Sequence, residues 1–83
     1  MTLVELYSKE DCHLCEVAKD TLFKVQKSFP FQLRVIGIRD GDEYFEEFKE
    51  RVPVVFINKE LAFQYKVPEK ELINSLNRVS QSE

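Results

Sequence analysis

The chain has 83 residues, 43% of them hydrophobic, and it carries a formal net charge of −3. A chain of this size folds as one small domain, and we expect residues 1–83 to share one core without a disordered tail. Because acidic and basic residues are interspersed, no basic surface is available to collect phosphates, and we expect neither nucleic acid nor a membrane as a partner.

The N-terminal third predicts a strand followed by an amphipathic helix. Residues 3–7 form an apolar, β-favouring run, and residues 8–11 are polar and rich in helix-capping types. Met1 leads straight into this strand without a signal peptide, so we expect a cytoplasmic location. Beyond the cap, apolar residues recur at steps of three or four and predict one buried helical stripe that ends at Pro30: Leu14, Ala18, Leu22, Val25 and Phe29.

The middle of the chain predicts a second strand and a short helix. Residues 31–35 alternate apolar and polar side chains, and Ile36 and Ile38 extend this strand toward a turn at 40–42. Residues 42–51 predict a helix with a narrow aromatic stripe, which must end because a Val-Pro pair follows it.

The C-terminal third predicts a hairpin and a last helix. Residues 54–57 are continuously apolar, which is typical of a strand covered on both faces, and a tight reversal at 58–59 leads into a strand at 60–64. Pro68 occupies a favoured first position of a helix. The order β-α-β-α-β-β-α therefore predicts an α/β fold with a mixed four-stranded sheet flanked by helices.

The two cysteines of the chain, Cys12 and Cys15, lie where the first strand gives way to the first helix. Exposed N–H groups at a helix N-terminus favour a thiolate, so Cys12 is the candidate nucleophile. On one helical turn the two residues are expected about 5 to 6 Å apart, within reach of a disulfide, and Cys15 is the candidate resolving thiol. The CxxC spacing in a βαβ unit favours dithiol redox chemistry.

Charged residues flank the two cysteines. Lys9 and a protonated His13 would favour a thiolate at Cys12, whereas the neighbouring carboxylates of Glu10, Asp11 and Glu16 would oppose it. An exposed histidine has a pKa near 6.5 and is mostly neutral in the cytosol. The alternative interpretation is that these charges form only a solvated rim around the cysteines, because exposed ion pairs contribute little to stability.

These residues resemble the glutaredoxin-like family of the thioredoxin fold, and within it the small proteins with a CxLC-type site. The resemblance rests on Tyr-Ser-Lys at 7–9, on Cys-His-Leu-Cys at 12–15 and on Val-Pro at 52–53. It implies a three-layer thioredoxin-like fold, thiol-disulfide oxidoreductase activity and a cis Val52–Pro53 bond that faces the cysteines. The residues it implies for substrate contact, beside the catalytic pair, are Lys9, His13, Leu14, Val52 and Pro53.

The resemblance also sets expectations about cofactors and partners. We expect no bound cofactor and no metal, with glutathione as one candidate reductant. Ordinary glutaredoxins have Gly-Gly and Asp after the last strand for glutathione, whereas residues 63–68 read Phe-Gln-Tyr-Lys-Val-Pro here. The expected partners of the monomer are a disulfide-containing protein or small thiol substrate and a cellular thiol reductant.

Two other functions remain open at the level of sequence. The two cysteines and His13 are metal ligands by type, so a metal or iron–sulfur carrier is an alternative that needs further ligands from outside this motif. A non-catalytic thioredoxin-fold adaptor is the other, because fold does not fix function. Tyr7 is predicted as a core residue at a strand end, Tyr65 is not assigned, and four aromatics are predicted as core: Phe45, Phe48, Phe56 and Phe63.

Overall fold

Seven elements follow the predicted order in the computed structural model, which describes residues 2–82. The strands and helices are β1 (Leu3–Ser8), α1 (His13–Gln26), β2 (Gln32–Gly37), α2 (Phe45–Phe48), β3 (Val54–Ile57), β4 (Glu60–Gln64) and α3 (Glu69–Ser82). The predicted fold class is confirmed. Pro68 stands one residue before α3 rather than inside it, and Leu72 and Leu76 of α3 are buried.

The sheet has the strand order β2-β1-β3-β4. β1 and β2 are parallel and are joined through α1, whereas β3 runs antiparallel to both of its neighbours, β1 and β4. The C-terminal end of β1 therefore lies beside the N-terminal end of β3, where Tyr7 pairs with Val54. This topology brings the loop after β1, which holds Cys12, to the same sheet end as the loop before β3, which holds Pro53.

The hairpin between β3 and β4 turns on Asn58 and Lys59, as predicted. Their φ angles are 49° and 72°, and a two-residue hairpin turn of this kind requires positive φ at both positions. Asn58 also accepts a hydrogen bond at its Oδ1 from the Leu3 N–H, at 2.8 Å. The turn is thereby fixed to the start of β1.

A main core fills the space between one face of the sheet and the helices α1 and α3. It is aliphatic except for one phenylalanine, and the central strands contribute alternate residues because side chains on a strand point to opposite faces. Its buried members are Val4, Leu6, Ala18, Leu22, Val25, Phe31, Val55, Ile57, Val67, Leu72 and Leu76.

A second cluster, called the site cluster below, lies at the end of the sheet that carries the cysteines. Its buried members are Cys15, Ile38, Phe48, Val52 and Val54, and the half-buried residues packed on them are Tyr7, Cys12, Phe45 and Phe56. Tyr7, Val54 and Phe56 alternate along their strands with main-core residues, so they face the side covered by α2.

Two local predictions are wrong. The helix predicted over residues 42–51 is only α2, because the Asp42 carboxylate accepts the Arg39 N–H at 2.8 Å and forms a turn before it. At its other end the Phe48 carbonyl accepts the N–H groups of Arg51 and Val52, and the helix closes. The buried stripe predicted for α1 is wrong at both ends: Leu14 is 43% exposed, with Cys15 facing the interior instead, and Phe29 lies beyond the helix, which ends at Gln26.

Glu5 is a buried carboxylate in the middle of β1. Its oxygens accept from Arg34 Nη1 on β2 at 3.2 Å and from Lys59 Nζ in the hairpin turn at 3.2 Å. Both cations are largely exposed, so these ion pairs join three parts of the sheet without a large contribution to stability. Over residues 2–82, none of the helices is both long and apolar enough to span a bilayer.

Candidate active site

Cys12 and Cys15 form a disulfide in the structure. Their Cα atoms lie 5.2 Å apart, within the range that a disulfide requires. The spacing predicted from one helical turn is confirmed. The two residues are therefore held at a separation from which a dithiol can close to a disulfide.

Cys12 is the N-cap of α1. Its backbone is extended, with φ −116° and ψ 102°, and its Sγ accepts the N–H of Cys15 at 3.2 Å. Its carbonyl accepts the Glu16 N–H at 3.2 Å and starts the helix. A sulfur at this position receives one of the otherwise unpaired N–H groups of the helix N-terminus, and the same N–H donates more strongly to a thiolate than to a thiol.

The two cysteines differ in access to solvent. Cys12 is half-buried, and His13 and Leu14 beside it are exposed. Cys15 is 2% exposed and packs inside the site cluster. An external disulfide therefore reaches Cys12 and not Cys15, whereas Cys15 reaches Cys12 from inside the protein.

Asp11 sets the approach of the chain to Cys12. Its φ is 55°, in the left-handed region, which aspartate tolerates better than most residues. The sequence predicts a charge and a helix-capping type at Asp11, and aspartate at this position is also a signal for such a turn.

Lys9 lies at the other end of this loop, and its ammonium has a partner of its own. Lys9 Nζ donates to the carbonyl of Lys49, the C-cap of α2, at 2.7 Å. This contact connects the loop of the cysteines with α2. Lys9 therefore has a positioning part in the site, in addition to any charge that it supplies.

The Val52–Pro53 bond is cis, as the resemblance implied. Both residues are buried, so neither side chain offers a surface to a substrate. The Val52 N–H donates to the Phe48 carbonyl at 3.0 Å. A substrate that pairs with the backbone of Val52 must therefore donate an N–H to the Val52 carbonyl oxygen.

Residues 51–53, called the cis-proline loop below, are also bonded to the end of β4. The Tyr65 N–H donates to the Pro53 carbonyl at 2.9 Å and to the Arg51 carbonyl at 3.2 Å. Tyr65 itself is 51% exposed. The sequence did not assign this residue to the site, because a contact between backbone groups leaves no signal in residue types.

Tyr7 is half-buried and lies among aromatic rings, which supports its interpretation as a core residue. Its ring centroid is 5.1 Å from that of Phe48, 5.5 Å from that of Tyr44 and 5.7 Å from that of Phe56. Burial, and after it the nearby Glu5 carboxylate, raises the pKa of the Tyr7 phenol. Tyr7 therefore stays neutral over the physiological range.

The surroundings of the cysteines hold no metal cluster within the described part of the chain, where no three His, Cys, Asp or Glu side chains converge. An open hollow beside the site is lined by charged residues of both signs together with apolar side chains: Lys9, Glu10, Asp11, Ile38, Arg39, Asp40 and Phe45. Any metal at Cys12 and Cys15 would need further ligands from outside this constellation.

Comparison with protein families gives a match over residues 3–77 to the glutaredoxin-like domain (DUF836). A glutaredoxin-like protein of Dictyostelium discoideum is 28% identical over 82 residues, which cover 92% of this chain and 76% of that protein. The family match at residues 3–77 spans β1 to most of α3 and includes both cysteines and the cis-proline loop.

Solved structures agree with this match. The solution NMR structure of a Nitrosomonas europaea protein superposes with a TM-score of 0.74 at 28% identity, covering 89% of each chain. An X-ray structure of an X. campestris protein gives a TM-score of 0.75 at 23% identity, covering 90% of this chain and 96% of that one. Thioredoxin-2 of a malaria parasite, at 15% identity and a TM-score of 0.67 over 94% of this chain and 82% of its own, shares the fold.

Proposed function

The chain belongs to the glutaredoxin-like domain family, and from that premise we propose that it is a thiol-disulfide oxidoreductase with Cys12 as nucleophile and Cys15 as resolving thiol. One observation carries the proposal. A half-exposed cysteine caps α1 and receives an N–H at its sulfur, and a buried cysteine lies within disulfide reach of it.

The first step joins substrate and protein. The Cys12 thiolate attacks one sulfur of a substrate disulfide, a mixed disulfide forms, and the other substrate sulfur leaves as a thiolate. The Cys15 N–H and the start of α1 stabilise the attacking thiolate before the step. His13 and Leu14, exposed beside Cys12, are the side chains that a substrate meets first.

The second step releases the substrate. Cys15, deprotonated, attacks the Cys12 sulfur, the mixed disulfide breaks, and the second substrate sulfur leaves as a thiolate. Two electrons pass from the protein dithiol to the substrate, and the protein is left with the disulfide between Cys12 and Cys15. A cellular thiol reductant, glutathione or a protein dithiol, then reduces it, and the cycle needs no bound cofactor.

In the same proposal the substrate is a disulfide-containing protein or the disulfide of a small thiol compound, and the protein works as a monomer in the cytoplasm. The backbone of a protein substrate lies against the cis-proline loop. It donates an N–H to the Val52 carbonyl, as an added β-strand would. Lys9 holds the loop of the cysteines against α2 through the Lys49 carbonyl.

The test is a redox titration of the purified protein in dithiothreitol buffers, followed by trapping. We expect a reversible two-electron couple at about −270 to −200 mV. A Cys15→Ser variant should accumulate a mixed disulfide on Cys12 when it is mixed with a disulfide substrate, and a Cys12→Ser variant should not. A dithiol that never cycles, or equal trapping by both variants, contradicts the proposal.

A further inference from the structure

The outer edge of β2 is unguarded, in contrast to the other edge of the sheet. β2 and β4 are the two edge strands. Unpaired N–H and C=O groups at an edge invite another strand, and proteins block them with proline, lysine or a β-bulge. β4 has such a bulge, because its pairing with β3 skips Ala62. β2 pairs with β1 in one regular register, and its six residues, Gln-Leu-Arg-Val-Ile-Gly, include neither proline nor lysine.

Two hydrogen bonds show which backbone groups of β2 face β1. The Gln32 N–H donates to the Thr2 carbonyl at 2.9 Å, and the Ile38 N–H donates to the Ser8 carbonyl at 2.7 Å. Because the N–H and C=O groups of successive residues in a strand point to opposite edges, the even-numbered residues of β2 face β1. The odd-numbered residues direct their N–H and C=O groups away from the sheet: Leu33, Val35 and Gly37.

This edge is open to solvent. Four of the six residues of β2 are exposed, and Val35 is 43% exposed although it is apolar. Val35 pairs with Leu6 of the main core, so its side chain lies on the face of the sheet that α1 and α3 cover. A Cβ at Gly37 would meet no atom beyond its chain neighbours within 4 Å among the described residues. The strand therefore has room for a neighbour with a side chain opposite Gly37.

The two ends of β2 carry opposite charges. On the side of its first residue, Lys27 ends α1 as the C-cap and is exposed. On the side of its last residue, the turn at residues 40–43 holds three exposed carboxylates and no basic residue. Lys27 and Asp40 form no ion pair within residues 2–82. A second copy that lies antiparallel brings each basic end beside the acidic end of its partner, whereas a parallel copy brings like charges together.

We propose that the outer edge of β2 binds a second copy of this chain, antiparallel and about a two-fold axis that passes between the two Val35 residues. In this register Val35 exchanges two backbone hydrogen bonds with Val35 of the partner subunit, and Leu33 exchanges two with Gly37 of the partner subunit. All outward groups of both strands are then paired. The adjacent register is centred on Arg34 and places two like charges opposite each other. The inference goes beyond the proposed function, because the redox cycle uses the residues of one copy and each copy remains its own catalytic unit.

The first measurement is sedimentation equilibrium of the oxidised protein, in which the disulfide within each copy keeps the cysteines from linking two copies. One strand with its flanking turns makes a small interface, and small interfaces are weak, so we expect a monomer of 9.8 kDa at about 10 μM and a mass approaching twice that value at about 1 mM.

Amide hydrogen exchange at the same two concentrations locates the surface. The outward N–H groups of Leu33, Val35 and Gly37 should exchange about fivefold more slowly in the concentrated protein than in the dilute protein. The N–H groups of Arg34 and Ile36 already pair with β1 and should be protected at both concentrations.

Variants at both edges of the sheet test the same contact. Val35→Lys places two ammonium groups opposite each other, and Val35→Pro removes the outward N–H, a change that edge strands tolerate. Each should raise the dissociation constant of the dimer by about tenfold or more. Leu61→Lys is the matched control, because it adds the same charge to β4 at a residue that is 53% exposed, and it should leave the constant unchanged.

A charge exchange tests the orientation of the two copies. Lys27→Glu should weaken the dimer by about threefold, the range of two exposed ion pairs, and the addition of Asp40→Lys should restore it.

Three results overturn the inference: a mass that stays at 9.8 kDa at the higher concentration, a dimer in which the outward amides of β2 exchange as fast as in the monomer, and an equal weakening by Val35→Lys and Leu61→Lys. The second means that the copies associate through another surface. Val35→Lys should still react with hydroxyethyl disulfide at the rate of the unchanged protein, so a failure of the oxidoreductase function is seen separately from a failure of this pairing.

Discussion

The main core and the site cluster both pack against the same sheet, but they differ in the residue types and the elements that form them. The main core is mostly aliphatic and is formed by central strands and the two long helices, whereas the site cluster combines aromatic rings, sulfur and a few aliphatic side chains from α2, the start of α1, the adjoining strand ends and the loops between them. Long elements each bury several residues, so the main core supplies most of the stability. The site cluster instead determines where Cys12, Cys15 and the cis-proline loop lie relative to one another.

The largest effect that separates the two regions is expected from Leu22→Ala in the main core. Leu22 is fully buried, and its truncation should lower the free energy of unfolding by about 3 kcal/mol, through lost burial and the cavity left behind. Urea unfolding of the oxidised protein measures the loss. The midpoint potential of the folded protein should not change, because Leu22 does not contact the site cluster; a shifted potential would break the separation.

A smaller effect on stability, and a larger one on reactivity, is expected from Phe48→Leu in the site cluster. The substitution keeps an apolar side chain and should cost about 1 kcal/mol of unfolding free energy. It removes the ring that packs on Tyr7 and Phe56 beneath the cysteines, so the rate of reaction with hydroxyethyl disulfide should fall.

The matched control for Phe48→Leu is Phe23→Leu, at a phenylalanine on α1 that is 46% exposed. It should change stability by less than about 0.5 kcal/mol and leave the rate unaltered. If Phe48→Leu destabilises the protein as much as Leu22→Ala and reacts normally, the two regions do not differ as described.

The same contrast explains what the sequence predicted well. Residues of the main core recur with the period of the helix or strand that carries them, so the sequence predicts Ala18, Leu22 and Val25 as buried, and they are. The position of the two cysteines was also predictable, because capping types and the CxxC spacing are local signals. The cis Val52–Pro53 bond followed from the family resemblance and not from the residues themselves.

The site cluster was predicted less well, since its contacts come from residues far apart in sequence. The left-handed backbone of Tyr65 and the bond from Lys9 to the Lys49 carbonyl depend on tertiary contacts. The length of α2 was overestimated because the Asp42 carboxylate forms a turn with the Arg39 N–H before the helix, a bond that the helical pattern of residue types does not show.

The smallest expected effect is a dependence of stability on alkaline pH that involves Tyr7 of the site cluster. The pKa of Tyr7 is raised by burial, so above about pH 10, the ordinary value for tyrosine, the unfolded chain loses this proton before the folded protein does. The folded state then binds more protons than the unfolded state, and the free energy of unfolding falls as pH rises.

Urea unfolding of the oxidised protein between pH 9 and pH 11.5 measures this fall. Tyr7→Phe removes the ionising group and should flatten the profile above about pH 10. An unchanged profile in Tyr7→Phe would mean that the alkaline loss arises from general charge repulsion. A loss specific to Tyr7 should be accompanied by a faster reaction of the disulfide with dithiothreitol, because an ionised phenol loosens the cluster that covers Cys15.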